Sequence, residues 1–143
     1  WDADPLVVRD INDDGLLDLI IGGASEKENI GVFINRTPGP GAPGAPGAPG
    51  RFCKLSLRSA APNVYAVGAK VEVLEAGALA REGARPKLIE TAPTDGWPIH
   101  VGLGEAAKFD LRVTFPGGKA ITLRDVVAEP RMTLTPEGIR KAE

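Results

Sequence analysis

Asp10, Asn12, Asp14 and Asp18 place side-chain oxygens at positions 1, 3, 5 and 9 of one short segment, DINDDGLLD, with Gly15 at position 6. Alternate residues of a tightly wrapped loop can aim their oxygens at one centre. A hard cation such as Ca2+ takes six to eight oxygen ligands at about 2.3–2.6 Å, so this spacing suits calcium. Gly15 permits the sharp turn, and the backbone carbonyl of Leu16 is the natural ligand at position 7. Asp13 falls between ligand positions and is expected to face water. A simpler chemistry competes with this one: Asp and Asn also cap backbone amides in turns, and the segment could be an acidic hairpin turn. If it holds a cation, the three ligand carboxylates would repel one another once it is removed, and the loop should loosen.

Other residues that could do chemistry are scattered. Glu90, Asp95, Glu105 and Asp110 could supply the carboxylate pair that glycoside cleavage needs, but no spacing singles out two of them. There is no GxSxG, no HExxH and no phosphate-cradling glycine loop. His100 is the only histidine, so a histidine dyad is excluded, and a structural role is expected for it. Cys53 is the only cysteine, which excludes an internal disulfide and a thiolate zinc cluster. It alternates with Leu55 and Leu57 and reads as a small buried apolar residue. Trp1, Trp97 and Tyr65 could stack on sugars or simply pack. Asn35-Arg36-Thr37 fits the N-glycosylation pattern, although Pro38 follows it.

Composition narrows the partners. Seventeen Lys and Arg against nineteen Asp and Glu leave a net charge of −2, without the basic field that a phosphate backbone requires. No nucleic-acid partner is expected. The longest apolar runs fall far short of the roughly 18–20 residues that span a bilayer as a helix, so no membrane span is expected either. The chain opens on Trp1 without a methionine, so an upstream leader or domain is expected to have been removed, leaving a secreted origin open.

The elements that must carry these residues fall on either side of a spacer. Thr37 to Gly50 reads TPGPGAPGAPGAPG and offers nothing large enough to anchor a core. Glycine recurs every third residue, but too few triplets follow for an independent collagen helix. A semi-rigid linker is expected, which in the polyproline II conformation could hold its flanks roughly 40 Å apart. Before it, Leu6–Val8, Leu19–Ile21 and Gly31–Ile34 read as three strands bounded by Gly, Asn and Asp. After it, Cys53–Leu57, Val67–Val73 and Leu111–Phe115 alternate with the period of a half-buried strand. Further strands are expected near 87–91, 99–101, 119–123 and 131–134, with turns at Asp95-Gly96 and at 115–118. Ala76 to Gly83 is the only helix candidate. The fold class is therefore all-β: a short blade-like hairpin repeat over residues 1–36, the linker over 37–50, and a small β-sandwich or barrel-like domain over 51–143.

An EF-hand would need a Glu at position 12 of the acidic loop, where Ile21 stands, and flanking helices, where strand patterns stand. DxNxDGxxD leading into a strand instead resembles the calcium loop of FG-GAP and VCBS repeats, the blades of integrin-type β-propellers, and Asp10 to Asn35 matches one repeat through the GVFIN strand. That resemblance implies Ca2+ bound by Asp10, Asn12, Asp14, the Leu16 carbonyl and Asp18. From about Phe52 to Leu134 the chain resembles the ASPIC/UnbV domain, which commonly follows such repeats in secreted proteins. The motifs are Asn63 with VGAKVEV at 67–73, HVGLG at 100–104 and LRVTFPGGK at 111–119; the stretch before HVGLG is shorter than the family's. In HVGLG, Gly102 and Gly104 are expected to form a turn or bulge and Leu103 to pack.

The resemblance brings no catalytic residues with it. The implied function is a noncatalytic, calcium-stabilised extracellular module for structure, adhesion or assembly, with a protein or glycan of a cell surface or matrix as partner. A single blade leaves its strand edges open, and open edges pair or aggregate. A strand-sharing homo-oligomer or filament is therefore a variant of this reading. The alternative is a carbohydrate-binding module or an accessory domain of an extracellular hydrolase.

Overall fold

The computed structural model describes residues 6–23, 30–37 and 51–140. The chain divides into two compact units, Trp1–Pro49 and Gly50–Glu143. Among the described residues no helix is long and apolar enough to cross a membrane.

The first unit is a three-stranded antiparallel sheet of β1 (Leu6–Arg9), β2 (Asp18–Ile21) and β3 (Gly31–Phe33), in that order. Its register pairs Leu6 with Ile21, Val8 with Leu19, and Leu19 with Phe33. Directly paired residues share a face, so these side chains lie together on one side. Val7, Ile20 and Val32 are paired on the other. Both faces are apolar, and on neither are they all covered: Leu6 is 58% exposed and Phe33 57% on the first, Val32 56% on the second.

The second unit is a β-sandwich. One sheet runs in the order β11–β10–β4–β7, with β4 spanning Arg51–Leu57, β7 Ile99–Gly104, β10 Arg131–Thr135 and β11 Gly138–Arg140. The other runs β6–β5–β8–β9, with β5 spanning Lys70–Glu75, β6 Leu88–Thr91, β8 Lys108–Thr114 and β9 Ala120–Val127. All pairs are antiparallel except β4 and β10, which run parallel with Lys54 opposite Arg131 and Leu57 opposite Leu134. Cys53, Leu55, Val101 and Leu134 from the first sheet join Val71, Leu111 and Val113 from the second in one core. Each fully buried Leu or Val removes enough apolar surface from water to contribute about 1.5–3 kcal/mol. The alternation seen in the sequence thus locates the core correctly.

Two expectations need correction. The helix candidate forms only a single 3-10 turn at Ala78–Ala80, entered from Gly77 at a left-handed φ of 73°. Strand β5 begins at Lys70 and not at Val67, although Val67 and Ala69 fit the alternation. The cause is Asn63, whose Oδ1 accepts the Val67 N–H at 2.8 Å while its Nδ2 donates to the Val67 carbonyl at 3.0 Å. That side chain winds the backbone into a turn and keeps Val67 from pairing along a strand. HVGLG fares as expected: Arg51 pairs with Gly104 and Phe52 with Gly102, so Leu103 is the extra residue of a bulge and packs against the core.

Candidate metal site

The loop between β1 and β2 is built on carboxylates that accept backbone amides. Asp10, at the end of β1, is buried; its Oδ1 accepts the Asp14 N–H at 3.1 Å and its Oδ2 the Gly15 N–H at 2.9 Å. Asp18, the first residue of β2, is fully buried, with Oδ2 accepting from Ile11 N–H and Oδ1 from Asn35 N–H, both at 2.8 Å. Asp14 is exposed; its Oδ1 accepts the Leu16 N–H at 2.8 Å and its Oδ2 the Asn12 side-chain amide at 2.8 Å. Asn12 Oδ1 in turn accepts the Asp14 N–H at 3.3 Å. The chain can wind this tightly because Gly15 sits at φ 89° and Asp13 at φ 62°; Asp13 is exposed, as its place between the ligand positions suggested.

All six carboxylate oxygens of Asp10, Asp14 and Asp18 therefore take part in hydrogen bonds. The donor chemistry, hard oxygen throughout, fits calcium. The arrangement is one of amide caps: among the described residues no three Asp, Glu, His or Cys side chains gather into a metal-holding group.

One contributor escaped sequence reasoning. Asn35, two residues beyond β3, ties that end of the sheet to the loop through its N–H on Asp18 and its Nδ2 on the Leu17 carbonyl at 3.3 Å. Its Oδ1 accepts from the Thr37 hydroxyl at 2.6 Å and the Thr37 N–H at 3.0 Å, a turn built from the same triplet that fits the glycosylation pattern. An Asn closing the GVFIN strand was the available signal, because Asn favours such local turns.

No known protein family matches the chain, and neither a curated protein nor a solved structure matches it significantly.

The scattered candidates have separate settings. Glu90 is exposed on β6, Asp95 is exposed and accepts the Trp97 N–H at 3.1 Å, and Glu105 is exposed just after β7. Asp110, in the middle of β8, is fully buried. Its Oδ2 accepts the Leu79 N–H at 3.0 Å and its Oδ1 the Asp125 N–H at 2.8 Å. Burial pushes its pKa up, but the amides of Leu79, Asp125 and Gly77 and the charge of Arg124 outweigh burial and hold it below the usual carboxylate value. A carboxylate engaged in this way is a structural knot and poorly placed to take a proton. His100 stacks on Phe52 with ring centroids 5.5 Å apart and planes 6° from parallel. Burial, aided by the negative charge of Glu129, pushes the Cys53 thiol up to about 12, which leaves it protonated at neutral pH. Trp1 lies outside the described residues.

Proposed function

We propose that this chain is a noncatalytic extracellular assembly module, in which a calcium-ordered blade of the FG-GAP/VCBS type is coupled to an ASPIC/UnbV-like sandwich. The observation that carries the proposal is the two-faced apolar character of the first sheet. Soluble monomers rarely expose contiguous apolar patches beyond a few hundred Å², and a sheet apolar on both sides is built to lie between two others. Neighbouring blade-like sheets of the same kind are the fitting cover. Dilution tests this. With an accessible sheet, the mass measured by light scattering should fall as concentration falls, and Phe33→Ser and Val32→Thr, one on each face, should each shift the chain toward monomer. A mass that is constant on dilution and indifferent to both substitutions would sink the assembly reading.

Asp10, Asn12, Asp14, the Leu16 carbonyl and Asp18 would hold the calcium, whose contribution is charge compensation and loop order. Extracellular calcium modules bind with Kd of roughly 10⁻⁴–10⁻³ M, so several millimolar calcium should stabilise the loop by about 1–2 kcal/mol. For a small unit that corresponds to a rise of about 5 °C or more in its unfolding midpoint. Differential scanning calorimetry in calcium and in chelator should show this rise, and Asp14→Ala should abolish it. Equal midpoints in both conditions would leave the residues as amide caps alone.

A further inference from the structure

We infer that the two faces of the first sheet are complementary to each other, so that the single apolar ridge on one face seats in the furrow on the opposite face of a second copy of the chain. This rests on the assembly reading above and goes beyond it by fixing which face meets which.

The first sheet has no core of its own. Among the described residues every buried apolar side chain belongs to the sandwich, and the buried side chains of the first unit are those of Asp10 and Asp18. A sheet becomes stable by burying its apolar face against another layer, and this one has two such faces. Its second face carries one row, Val7, Ile20 and Val32, directly opposed across the three strands. All three are β-branched and stiff at χ1, so the row is a ridge that loses little freedom on docking. The first face carries two rows, Leu6, Ile21 and Gly31, then Val8, Leu19 and Phe33, one residue to either side of the ridge. Rows on one face repeat about every 7 Å along a strand, so a furrow runs between them. Over β3 the Phe33 ring leans back across Gly31: a Cβ on Gly31 would come within 3.0 Å of Phe33 Cε2. The ring closes that end of the furrow with an apolar plate.

Ridge and furrow occupy the same level of the strands on opposite faces. Stacking a second copy with its strands aligned, at the roughly 10 Å separation of packed sheets, therefore brings ridge to furrow without any shift along the strands. In that arrangement Ile20 enters between Leu19 and Ile21 of the neighbour, Val7 between Leu6 and Val8, and Val32 rests on the Phe33 ring. Like faces fit less well. Two first faces interlock only when displaced, which leaves a row of each uncovered. Two second faces set ridge on ridge, or press a ridge against Arg9 and Asp18, the charged residues at the next level of that face.

Area points the same way. A face built from three such short strands covers roughly 200 Å², against about 800 Å² per partner in a stable complex. A dimer closed through one face is therefore short-lived, and a lasting assembly engages both faces of every copy. Ridge-to-furrow contact passes from copy to copy in one sense and so allows this.

The test uses two variants of the full chain, Val7→Lys and Val8→Lys, which put the same charge on adjacent residues of β1 but on opposite faces. Both sites are exposed, at 37% and 47%, so a lysine is tolerated in the single copy and blocks docking only on its own face. Methyl NMR signals of both faces of the wild type should move on dilution from millimolar to micromolar concentration. Neither variant alone should keep this dependence, its apparent Kd rising about tenfold or more. Adding unlabelled Val7→Lys chain to labelled Val8→Lys chain should then give saturable shifts confined to Val7, Ile20 and Val32. With the labels exchanged, the shifts should fall on Leu6, Val8, Leu19 and Ile21. Val7→Glu and Val8→Glu repeat the experiment should a lysine variant lose the dispersed signals of the folded sheet. A variant that alone keeps wild-type dilution behaviour would show like-face pairing and overturn the proposal, as would a wild type that responds to dilution beside a mixture that gives no saturable shift. A wild type with no dilution response would sink assembly itself, which separates the two failures.

Discussion

Replacing Asp110 with alanine is expected to lower the unfolding midpoint of the sandwich by about 10–20 °C, the largest effect of any single polar substitution proposed for this unit. The carboxylate accepts the Leu79 and Asp125 amides from a fully buried position. Opposite it, β9 has one residue too many: Phe109 pairs with Val126 but Leu111 with Leu123, so Arg124 and Asp125 share the place across from Asp110. Asp125 turns to φ 50° there, and the carboxylate receives the amide that the bulge takes out of the ladder. Truncation leaves two or three backbone donors with no acceptor in a site closed to water. At about 1–3 kcal/mol for each buried donor left unmade, partly offset by relaxation, the loss is about 2–4 kcal/mol. Asp110→Asn should recover only part of it, because one of the two positions then presents an amide NH2 to a backbone N–H.

The pH dependence follows from the direction of the shift. The folded-state pKa of Asp110 is held below the ordinary carboxylate value of the unfolded chain. Its contribution is therefore fully present above the unfolded value and is lost as pH falls through the lower folded value. Calorimetry from pH 7 downward should show a constant gap between wild type and Asp110→Ala until about pH 4, and a closing gap below it. A gap independent of pH into strong acid would mean that the charge of Asp110 has no part in the knot.

Asp18→Ala is expected to unfold the first sheet while the sandwich keeps its transition. Asp18 joins the start of the loop, at Ile11 N–H, to the chain beyond β3, at Asn35 N–H. Removing it leaves both amides unpaired and opens a polar void at the end of a three-stranded sheet, an element with little stability in reserve. Amide signals of Val7, Ile20 and Val32 should lose dispersion and hydrogen-exchange protection. Asp14→Ala makes the informative contrast. Its carboxylate is exposed, so in chelator it should cost about 1 kcal/mol or less while removing the calcium response. If Asp18→Ala leaves the sheet protected, Asp18 is not its keystone.

The acidic loop was legible because its signal lies in residue identity: four oxygen-bearing side chains at alternating positions around a glycine. Which use those oxygens serve was less legible, because cation ligands and amide caps call for the same residues. The strands of the sandwich were visible wherever alternation marks a buried face, as in Cys53, Leu55 and Leu57. Asp110 was hidden by the same rule. Phe109, Leu111 and Val113 point to the core, so alternation assigns Asp110 to the outer face; it is buried all the same, because the β9 bulge and the 77–80 turn donate amides to it from outside the strand. Strand β11, three residues long, has too little pattern to be seen. The parallel pairing of β4 with β10 depends on residues far apart in the chain, which no local window captures.

That pairing has a consequence for how the chain reaches its fold. β4 is the first strand of the sandwich to leave the ribosome, and its interior side chains are Cys53, Leu55 and Leu57. One neighbour, β7, arrives midway; the other, β10, is nearly the last strand made. Until it arrives β4 keeps one unpaired edge, a point from which misassembly can begin. Pairing strands so distant in sequence also slows folding, because the intervening chain must be closed into a loop before the contact returns any stability. Synthesis of this domain thus passes through an interval of vulnerability whose length is set by the distance from Lys54 to Arg131.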